Sequence, residues 1–327
     1  MDIVRFWRDV PANLKGAALA IGNFDGVHRG HQEVLNAAID IARQEGRRSG
    51  AVVFEPHPRE FFAPETPFFR LTPLPLKLEL LEALGLDQTF VIEFNRDLAS
   101  LSAEAFATEL IAKGLGASHV VVGHDFSYGK GRTGTTDGLA ALGRTLGFGV
   151  DIVAPVGVNG ATFSSSRIRE HLREGEVREA AEQLGYWWRV RGRVERGAGR
   201  GKGLGFPTLN LKLATGQDVR HGIYAMRIYR DGERYQAAGY VGIRPTFGDS
   251  EPVLEAYLLD FAGDLYGKEV DAEFVAFLRP DRTFATPEAL AVQMREDCAQ
   301  AREVLAKLDA DDPVRRFPLA RARAKPI

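Results

Sequence analysis

The chain has 327 residues, of which 45% are hydrophobic and 26% charged, the composition of a globular protein large enough for two domains. A formal net charge of −2 argues against a protein whose main role is to coat nucleic acid. Cys298 is the one cysteine, which excludes an intramolecular disulfide framework and any multi-cysteine zinc site. No run approaches ~20 uninterrupted apolar residues. Arg5, Arg8 and Asp9 interrupt the N-terminal apolar residues, so we expect no signal peptide, no membrane span and a cytoplasmic location.

Up to about residue 157, short apolar runs alternate with segments of helical period. Val34, Leu35, Ala38, Ile39 and Ala42 recur at a spacing that predicts an amphipathic helix. Because the apolar runs lack an alternating polar face, they predict a parallel sheet covered by helices, with ligands at the carboxyl ends of the strands. The predicted strands are residues 17–21, 51–54, 89–93, 119–123 and 150–156, and the further predicted helices are 76–84, 103–113 and 138–146.

From about residue 185 the pattern changes to short alternating strands separated by turn residues, which predicts a small antiparallel barrel or sandwich. A final helix is predicted from Pro287 to about residue 308, with Thr286 as its N-cap. We therefore predict two domains, residues 1–183 and 184–310, and a loose basic tail at 311–327. The predicted strands are residues 222–229, 234–241, 253–261 and 269–278, and helices are predicted before them at 166–173 and 177–184.

The most informative stretch is residues 22–31, with the sequence Gly-Asn-Phe-Asp-Gly-Val-His-Arg-Gly-His, between a predicted strand and a predicted helix. Glycine lets the backbone approach a ligand, and a helix start presents N–H groups and a positive dipole end. The imidazoles of His28 and His31 can donate hydrogen bonds to phosphate oxygens. The stretch therefore indicates a triphosphate site. The alternative is a tight turn whose histidines only form local hydrogen bonds.

Three later segments are candidates to complete a nucleotide site. Residues 54–59, Phe-Glu-Pro-His-Pro-Arg, follow a strand and are stiffened by two prolines, which also suits a plain connector. Residues 123–130, Gly-His-Asp-Phe-Ser-Tyr-Gly-Lys, also follow a strand but do not fit a P-loop. Residues 163–169, Phe-Ser-Ser-Ser-Arg-Ile-Arg, place serines and arginines at a helix start. There they can bind an anion, or Ser166 can simply cap the helix.

A second phosphate site is indicated by the glycine-rich residues 197–210, which fit neither the dinucleotide nor the Walker pattern. They offer a basic loop able to fold over phosphates, followed by Thr208 and Asn210 as neutral oxygen ligands. The alternative is a solvated linker. Further along, Glu255 lies on an otherwise apolar face of a predicted strand. A carboxylate in that position indicates a general base, with a structural salt bridge as the alternative.

These residues resemble known motifs. Residues 28–31 resemble the His-x-Gly-His element of the nucleotidylyltransferase superfamily, and residues 22–32 resemble the opening of the bacterial bifunctional riboflavin kinase/FAD synthetase family. The segments at 54–59, 123–129 and 163–169 are similar to that family's Phe-Glu-Pro-His-Pro, Gly-x-Asp/Asn-Phe-x-Phe-Gly and Ile-Ser-Ser-Thr-x-Ile-Arg elements, in the same order. Gly-Phe-Pro-Thr-x-Asn at residues 205–210 and the strand that carries Glu255 resemble its kinase domain.

The resemblance implies a Rossmann-like nucleotidylyltransferase domain with a parallel sheet, followed by a small antiparallel β-barrel riboflavin kinase domain with a C-terminal helix. It implies that the barrel phosphorylates riboflavin with ATP to FMN. The first domain would then adenylylate FMN with a second ATP, giving FAD and pyrophosphate, with Mg²⁺ bridging phosphate oxygens. The expected partners are these small molecules, without nucleic acid or membrane, and the oligomeric state is open.

By the same resemblance, Glu255, His28, His31 and Arg169 are the expected catalytic residues, Glu255 as the base for the riboflavin hydroxyl and Arg169 on the leaving pyrophosphate. The expected metal ligands are Thr208 and Asn210, and the expected contacts to nucleotide or flavin are Gly22, Asn23, Phe24, Asp25, Gly30, His57, Asp125, Phe126, Tyr128, Ser164, Ser165, Ser166 and Arg167 in the first domain and Gly201, Lys202, Gly205, Phe206 and Pro207 in the second.

The sequence departs from the family pattern at a few positions. Tyr240 stands two residues before Gly242, where the family commonly has Asn. Phe163 and Ser166 replace Ile and Thr, and Tyr128 replaces Phe but keeps an aromatic ring. Two other functions stay open. One is a nucleotidylyltransferase for another acceptor, fused to a non-catalytic flavin-binding barrel. The other is a flavin or nucleotide sensor that has lost catalysis.

Overall fold

The computed structural model describes residues 1–158, 160–197, 203, 205–243 and 252–323. The chain divides into two compact units, Met1–Phe68 with Thr72–Ser164, and Phe69–Leu71 with Ser165–Ile327. The residues between 165 and 183 are thus grouped with the second unit. The boundary at residue 183 remains a prediction about the domains, and the compact units begin and end elsewhere.

The first unit contains a six-stranded sheet in the order β1-β4-β3-β2-β5-β6, with every neighbouring pair parallel. This confirms the predicted parallel sheet. The four residues of β2 are all buried, as expected for a central strand of a covered parallel sheet. Strand β1 was not predicted, because three residues are too few to show a pattern. The strands are β1 (Asp2–Val4), β2 (Ala18–Ile21), β3 (Ser49–Glu55), β4 (Gln88–Glu93), β5 (His119–Gly123) and β6 (Gly149–Val153).

Helices connect these strands, and the apolar side of α1 packs inward through Val34, Leu35, Ala38 and Ala42. A small hairpin of β7 (Gly157–Val158) and β8 (Ala161–Thr162) follows the sheet. The helices are α1 (Arg29–Gln44), α2 (Pro58–Phe62), α3 (Leu74–Ala83), α4 (Arg96–Ser100), α5 (Ala103–Ala105) continuing as a π-helix at Phe106–Leu115, and α6 (Thr136–Leu146).

The second unit contains a six-stranded antiparallel sheet in the order β10-β13-β12-β11-β14-β9. An isolated antiparallel bridge between Glu195 and Asn210 links the chain after β9 to β10, so the sheet nearly closes into a barrel. This confirms the predicted antiparallel barrel. The strands are β9 (Arg189–Arg193), β10 (Thr208–Lys212), β11 (Gly222–Arg230), β12 (Glu233–Ile243), β13 (Pro252–Leu258) and β14 (Glu269–Arg279).

Helices α7 (Ser165–Glu174) and α8 (Val177–Leu184) precede the barrel, and α9 (Pro287–Ala310) follows it. Thr286 caps α9 as predicted, because its hydroxyl accepts a hydrogen bond from the Ala289 amide at 3.2 Å. Helix α9 packs Cys298, Ala301, Leu305 and Leu308 into an apolar cluster with barrel residues. Burial raises the pKa of the Cys298 thiol to about 11, so the thiol is uncharged at neutral pH.

The segment after α9 is not loose throughout. Asp312, Val314 and Leu319 are buried, and the short helix α10 (Pro318–Arg323) follows. The basic composition of residues 311–327 suggested a solvated tail, but the few apolar side chains among the arginines pack inward. Composition alone does not reveal such an anchor, because a single buried carboxylate and two apolar residues carry it.

The buried guanidinium of Arg227 holds the end of α9 and the following segment on the barrel. Arg227 is 3% exposed and bonds Asp312 and Asp309 at 3.0 Å each, with Glu273 at 3.5 Å. The indole of Trp187 also donates to Asp312, at 3.0–3.1 Å. Burial raises the pKa of the Glu273 carboxyl, against the opposing effect of the arginine. Such a group is strongly destabilised when one partner is removed.

We expect Arg227→Met to lower the free energy of unfolding of the second unit by about 3–5 kcal/mol, because Asp312 and Glu273 would lose their buried counter-charge. Urea unfolding followed by tryptophan fluorescence measures this change. Arg234→Met is the matched control, because Arg234 also bonds Asp309, at 2.8 Å, but is more than a third exposed. It should cost about 0–1 kcal/mol. Equal losses in the two variants would contradict the buried anchor.

Candidate phosphate-transfer sites

The turn between β2 and α1 has an unusual backbone. Phe24 and Val27 have φ values of 46° and 40°, and Gly26 has a φ of 88°. The left-handed region is rare for a non-glycine residue and disfavoured for a β-branched one, so the surroundings must hold this turn. Phe24 and Val27 are buried. A Cβ at Gly22 would lie 3.0 Å from the Phe24 ring. The space beside the Gly22 backbone, where a ligand was predicted to approach, is therefore filled by that ring.

The two predicted histidines lie together at the start of α1. Their rings stack with centroids 3.6 Å apart and an interplanar angle of 18°. His28 is the N-cap, and its Nδ1 accepts a hydrogen bond from the His31 amide at 3.2 Å. Because Nδ1 accepts, the neutral His28 ring carries its proton on Nε2, where it can donate to an oxyanion. A Cβ at Gly30 would lie 3.3 Å from the His28 ring, which explains the glycine between the histidines.

Hydrogen bonds from residues 72–77, which were not identified from the sequence, support this turn. Thr72 Oγ1 accepts from the Gly26 amide at 2.8 Å, and the Thr72 amide donates to Asp25 Oδ1 at 3.0 Å. Asp25, predicted as a ligand contact, is 2% exposed and takes part in this support. Lys77 of α3 is 1% exposed and donates to the Asn23 carbonyl at 2.7 Å. A lysine among the leucines of a predicted helix was the signal available in the sequence.

Two other predicted loops also follow strands of the first sheet. His57 caps α2, accepting from the Arg59 amide at 3.1 Å, and its ring packs on Phe68 at 4.7 Å. After β5, Phe126 and Tyr128 stack with centroids 5.5 Å apart. Burial raises the pKa of the Tyr128 phenol. Asp125 lies exposed in the same loop. These loops begin at the carboxyl edge of the sheet, as predicted.

The serine-arginine segment crosses the boundary between the units, with Ser164 ending the first and Ser165 beginning the second. Helix α7 begins at Ser165, so Ser166 lies in its first turn and is not the cap. Arg167 is exposed, whereas Arg169 is buried and its Nε donates to the Phe69 carbonyl at 2.5 Å. The structure therefore gives Arg169 a defined orientation within the second unit.

In the barrel, the pairing of β10 with β13 places Asn210 opposite Glu255 and Thr208 opposite Tyr257. Directly opposite residues project on one face of an antiparallel pair, so both polar groups of β10 share a face with Glu255. The Asn210 amide nitrogen donates to the Thr208 carbonyl at 3.3 Å. A Cβ at Gly197 would lie 2.6 Å from Asn210 Oδ1, so the backbone at Gly197 lies directly against this amide.

Phe206, just before β10, is buried, and its ring meets Tyr257 edge-to-face at 5.1 Å. Gly205 has a φ of 88°, so the turn before β10 needs a glycine at this position. Pro207 is exposed. The predicted contacts Gly201 and Lys202 lie outside the described residues. Glu255 is half-buried on a face whose opposite side forms the barrel core.

The described residues contain no cluster of three or more His, Cys, Asp or Glu able to hold a metal ion. The hydroxyl of Thr208 and the amide oxygen of Asn210 are hard neutral donors on one strand face. Such donors suit a Mg²⁺ ion that keeps its waters and is carried largely by phosphates. Within the part of the chain that is described, no helix is long and apolar enough to cross a membrane.

The fold and these groups define a two-domain phosphate-transfer protein, with an α/β domain that presents paired histidines at a helix start and a barrel that pairs a carboxylate with neutral oxygen ligands. The FAD synthetase family model matches residues 10–167 and the riboflavin kinase model matches residues 184–305. The chain belongs to the bifunctional riboflavin kinase/FMN adenylyltransferase family, which confirms the resemblance seen in the sequence.

Relatives of that name match most of the chain. The Pseudomonas fluorescens protein is 38% identical over 94% of this chain and 98% of its own length. The Listeria monocytogenes protein is 35% identical over 93% of this chain and 95% of its own length. A crystal structure described as a macrolide-efflux protein from Streptococcus pneumoniae is similar with a TM-score of 0.82 and 28% identity, covering 92% of this chain and 98% of that one.

The support beneath the turn can be tested through the Gly26 amide. We expect Thr72→Val to speed hydrogen exchange at Gly26 by about tenfold or more, because the amide loses the hydroxyl that accepts its hydrogen bond. Thr145→Val is the control, since Thr145 is exposed and its hydroxyl bonds only within α6. Exchange at Gly26 that stays as slow as in the unmodified chain would show that Thr72 does not hold the turn.

Proposed function

We propose that the chain converts riboflavin to FAD in two steps, with the barrel phosphorylating riboflavin and the parallel-sheet domain adenylylating FMN. The observation that supports this proposal is that two different groups of candidate phosphate-site residues each lie inside the residues matched by the corresponding family model. The histidine pair belongs to the first and the Asn210–Glu255 pair to the second.

In the adenylylation step, a phosphate oxygen of FMN attacks the α-phosphorus of ATP, and the bond to pyrophosphate breaks. No covalent intermediate with the protein is needed, so catalysis consists of positioning and charge stabilisation. We assign His28 and His31 to the triphosphate, because the Nε2 proton of His28 and the N-terminus of α1 both favour negative charge. We assign Arg169 and Ser165 to the leaving pyrophosphate.

FMN, the acceptor of this step, needs a binding site with aromatic side chains for its flavin ring and polar groups for its edges. We assign Phe126 and Tyr128 to the flavin ring, since their rings already stack in one loop and flavin offers a large π-face. Asn23, Asp125 and His57 are assigned to the polar parts of nucleotide or flavin. Phe24, Asp25 and the glycines of the first turn act by holding its backbone, which is what their burial and φ values favour.

In the phosphorylation step, the ribityl 5′-hydroxyl of riboflavin attacks the γ-phosphorus of ATP and ADP leaves. We assign Glu255 as the general base that accepts the hydroxyl proton. Thr208 and Asn210 would hold Mg²⁺, which when bound draws charge from the phosphate oxygens. Gly197, at the start of the glycine-rich residues, lies against the Asn210 amide. We also propose that the protein is cytoplasmic.

We expect Glu255→Gln to lower FMN formation by about 10²–10⁴, because the amide cannot accept the proton. Adenylylation of supplied FMN should be retained. Chromatographic separation of riboflavin, FMN and FAD measures both activities on one sample. Glu269→Gln, at the exposed start of β14, is the control and should leave both intact. Loss of both activities in Glu255→Gln would contradict two separate sites.

His31→Ala should have the converse effect. FAD formation should fall by about 10²–10³, because the stacked pair and its donors to phosphate are lost, while FMN formation continues. The same chromatographic assay then shows FMN accumulating. His119→Ala is the control, since His119 lies at the opposite, amino-terminal edge of the sheet, in β5, bonded to Asp151. Undiminished FAD output from His31→Ala would contradict the assigned role.

A further inference from the structure

A row of five residues crosses the barrel at the level of Glu255. In the pairing of β12 with β13, Tyr240 lies directly opposite Glu255, on the other side from Asn210. Ile223 of β11 and Arg279 of β14 continue the row. Because opposite residues in antiparallel strands project on the same face, Glu255 has Asn210 beside it on one neighbouring strand and Tyr240 beside it on the other.

The ring of Tyr240 lies along its own strand. A Cβ placed on Gly242 would be 1.9 Å from the Tyr240 hydroxyl oxygen and 2.3 Å from the ring carbon that carries it. The ring therefore covers Gly242 in the space that any larger side chain would need. Gly242 is buried for this reason, although Ile243 beside it is exposed. The absence of a side chain at Gly242 thus leaves the space in which the tyrosine ring lies.

The phenol is neutral at working pH. Burial raises its pKa, and the negative charges of Asp281 and Glu255 raise it further. Tyr240 is therefore an uncharged cross-strand neighbour of Glu255, and it neither neutralises nor repels the carboxylate. A rigid ring with few rotatable bonds restricts a flexible neighbour at little entropic cost to itself.

We propose that Tyr240 is a positioning residue of the phosphorylating site, which acts through Glu255. Held over Gly242, its ring closes one side of the carboxylate while Asn210 closes the other, so that Glu255 keeps the orientation that accepts the riboflavin hydroxyl proton. This rests on the proposed function of Glu255. Tyr240 is also a position at which the sequence departs from the family pattern that it resembles.

A positioning role predicts a specific kinetic pattern for riboflavin phosphorylation. Tyr240→Ala should lower kcat about tenfold, with KM for riboflavin and for ATP within about twofold, because the reacting groups lose alignment while the binding contacts stay. Tyr240→Phe should keep kcat within about twofold, since the ring remains. Adenylylation of supplied FMN should be unchanged in every variant and reports that the first domain is folded, whereas the unchanged KM values report that the barrel is folded.

Gly242→Ala provides a second, independent test. Gly242 does not have a positive φ, so alanine suits its backbone, but the new Cβ must displace the Tyr240 ring. It should lower kcat by about the same tenfold factor. The double variant Tyr240→Ala/Gly242→Ala should lose no more than either single variant, because the ring can be removed only once. Tyr235→Ala is the control on the same strand, where the ring packs on Phe261 near the other end.

Four results would overturn the inference: an unchanged kcat in Tyr240→Ala, a loss confined to KM, an equal loss in Tyr240→Phe, or additive losses in the double variant. An equal loss in Tyr240→Phe would show that the hydroxyl itself contacts substrate. Failure of the unmodified chain to phosphorylate riboflavin would reject the proposed function and the inference with it. Normal phosphorylation by the unmodified chain, with a kcat that does not change in Tyr240→Ala, would reject the inference alone.

Discussion

The position of the histidine pair depends on a backbone turn that cannot be stable by itself. A valine and a phenylalanine in left-handed conformations each cost on the order of 1–3 kcal/mol, and a segment about fifty residues away offsets this cost. Thr72 and Lys77 supply that support through hydrogen bonds over separations of 46 and 54 residues. The fold of the first unit therefore places α1, its capping histidine and the Nε2 donor of that histidine in one fixed arrangement, which is what the proposed charge stabilisation of a triphosphate requires.

In the barrel, strand pairing positions the candidate site residues. Its cross-strand register sets Asn210, Glu255 and Tyr240 side by side, so that hydrogen bonding between strands determines which groups meet at the site. Helix α9 covers the neighbouring apolar face, and Arg227 fixes the far end of that helix. The side chains proposed for catalysis in the barrel thus lie on paired strands, whereas the sequence leading into β10 is rich in glycine.

The sequence predicted those features that depend on local pattern. The period of the apolar residues revealed the central strands and α1, and the turn chemistry placed the motifs at strand ends. Strand β1 was missed because it is only three residues long. Features that depend on distant contacts were also missed: Lys77 of α3 bonds the Asn23 carbonyl, and Asp312 is buried in a segment of basic composition. The pairing of Tyr240 with Glu255 could not be predicted either, because register depends on how two strands align and a shift of one residue reverses every side chain.

The most direct test of two coupled sites on one chain is a time course with purified protein, riboflavin, excess ATP and Mg²⁺, in which riboflavin, FMN and FAD are separated by chromatography. We predict that FMN appears first and then declines as FAD accumulates. FMN that accumulates without conversion would mean that the histidine pair serves another acceptor. Formation of FAD from added FMN, with no product from riboflavin, would contradict phosphorylation by the barrel.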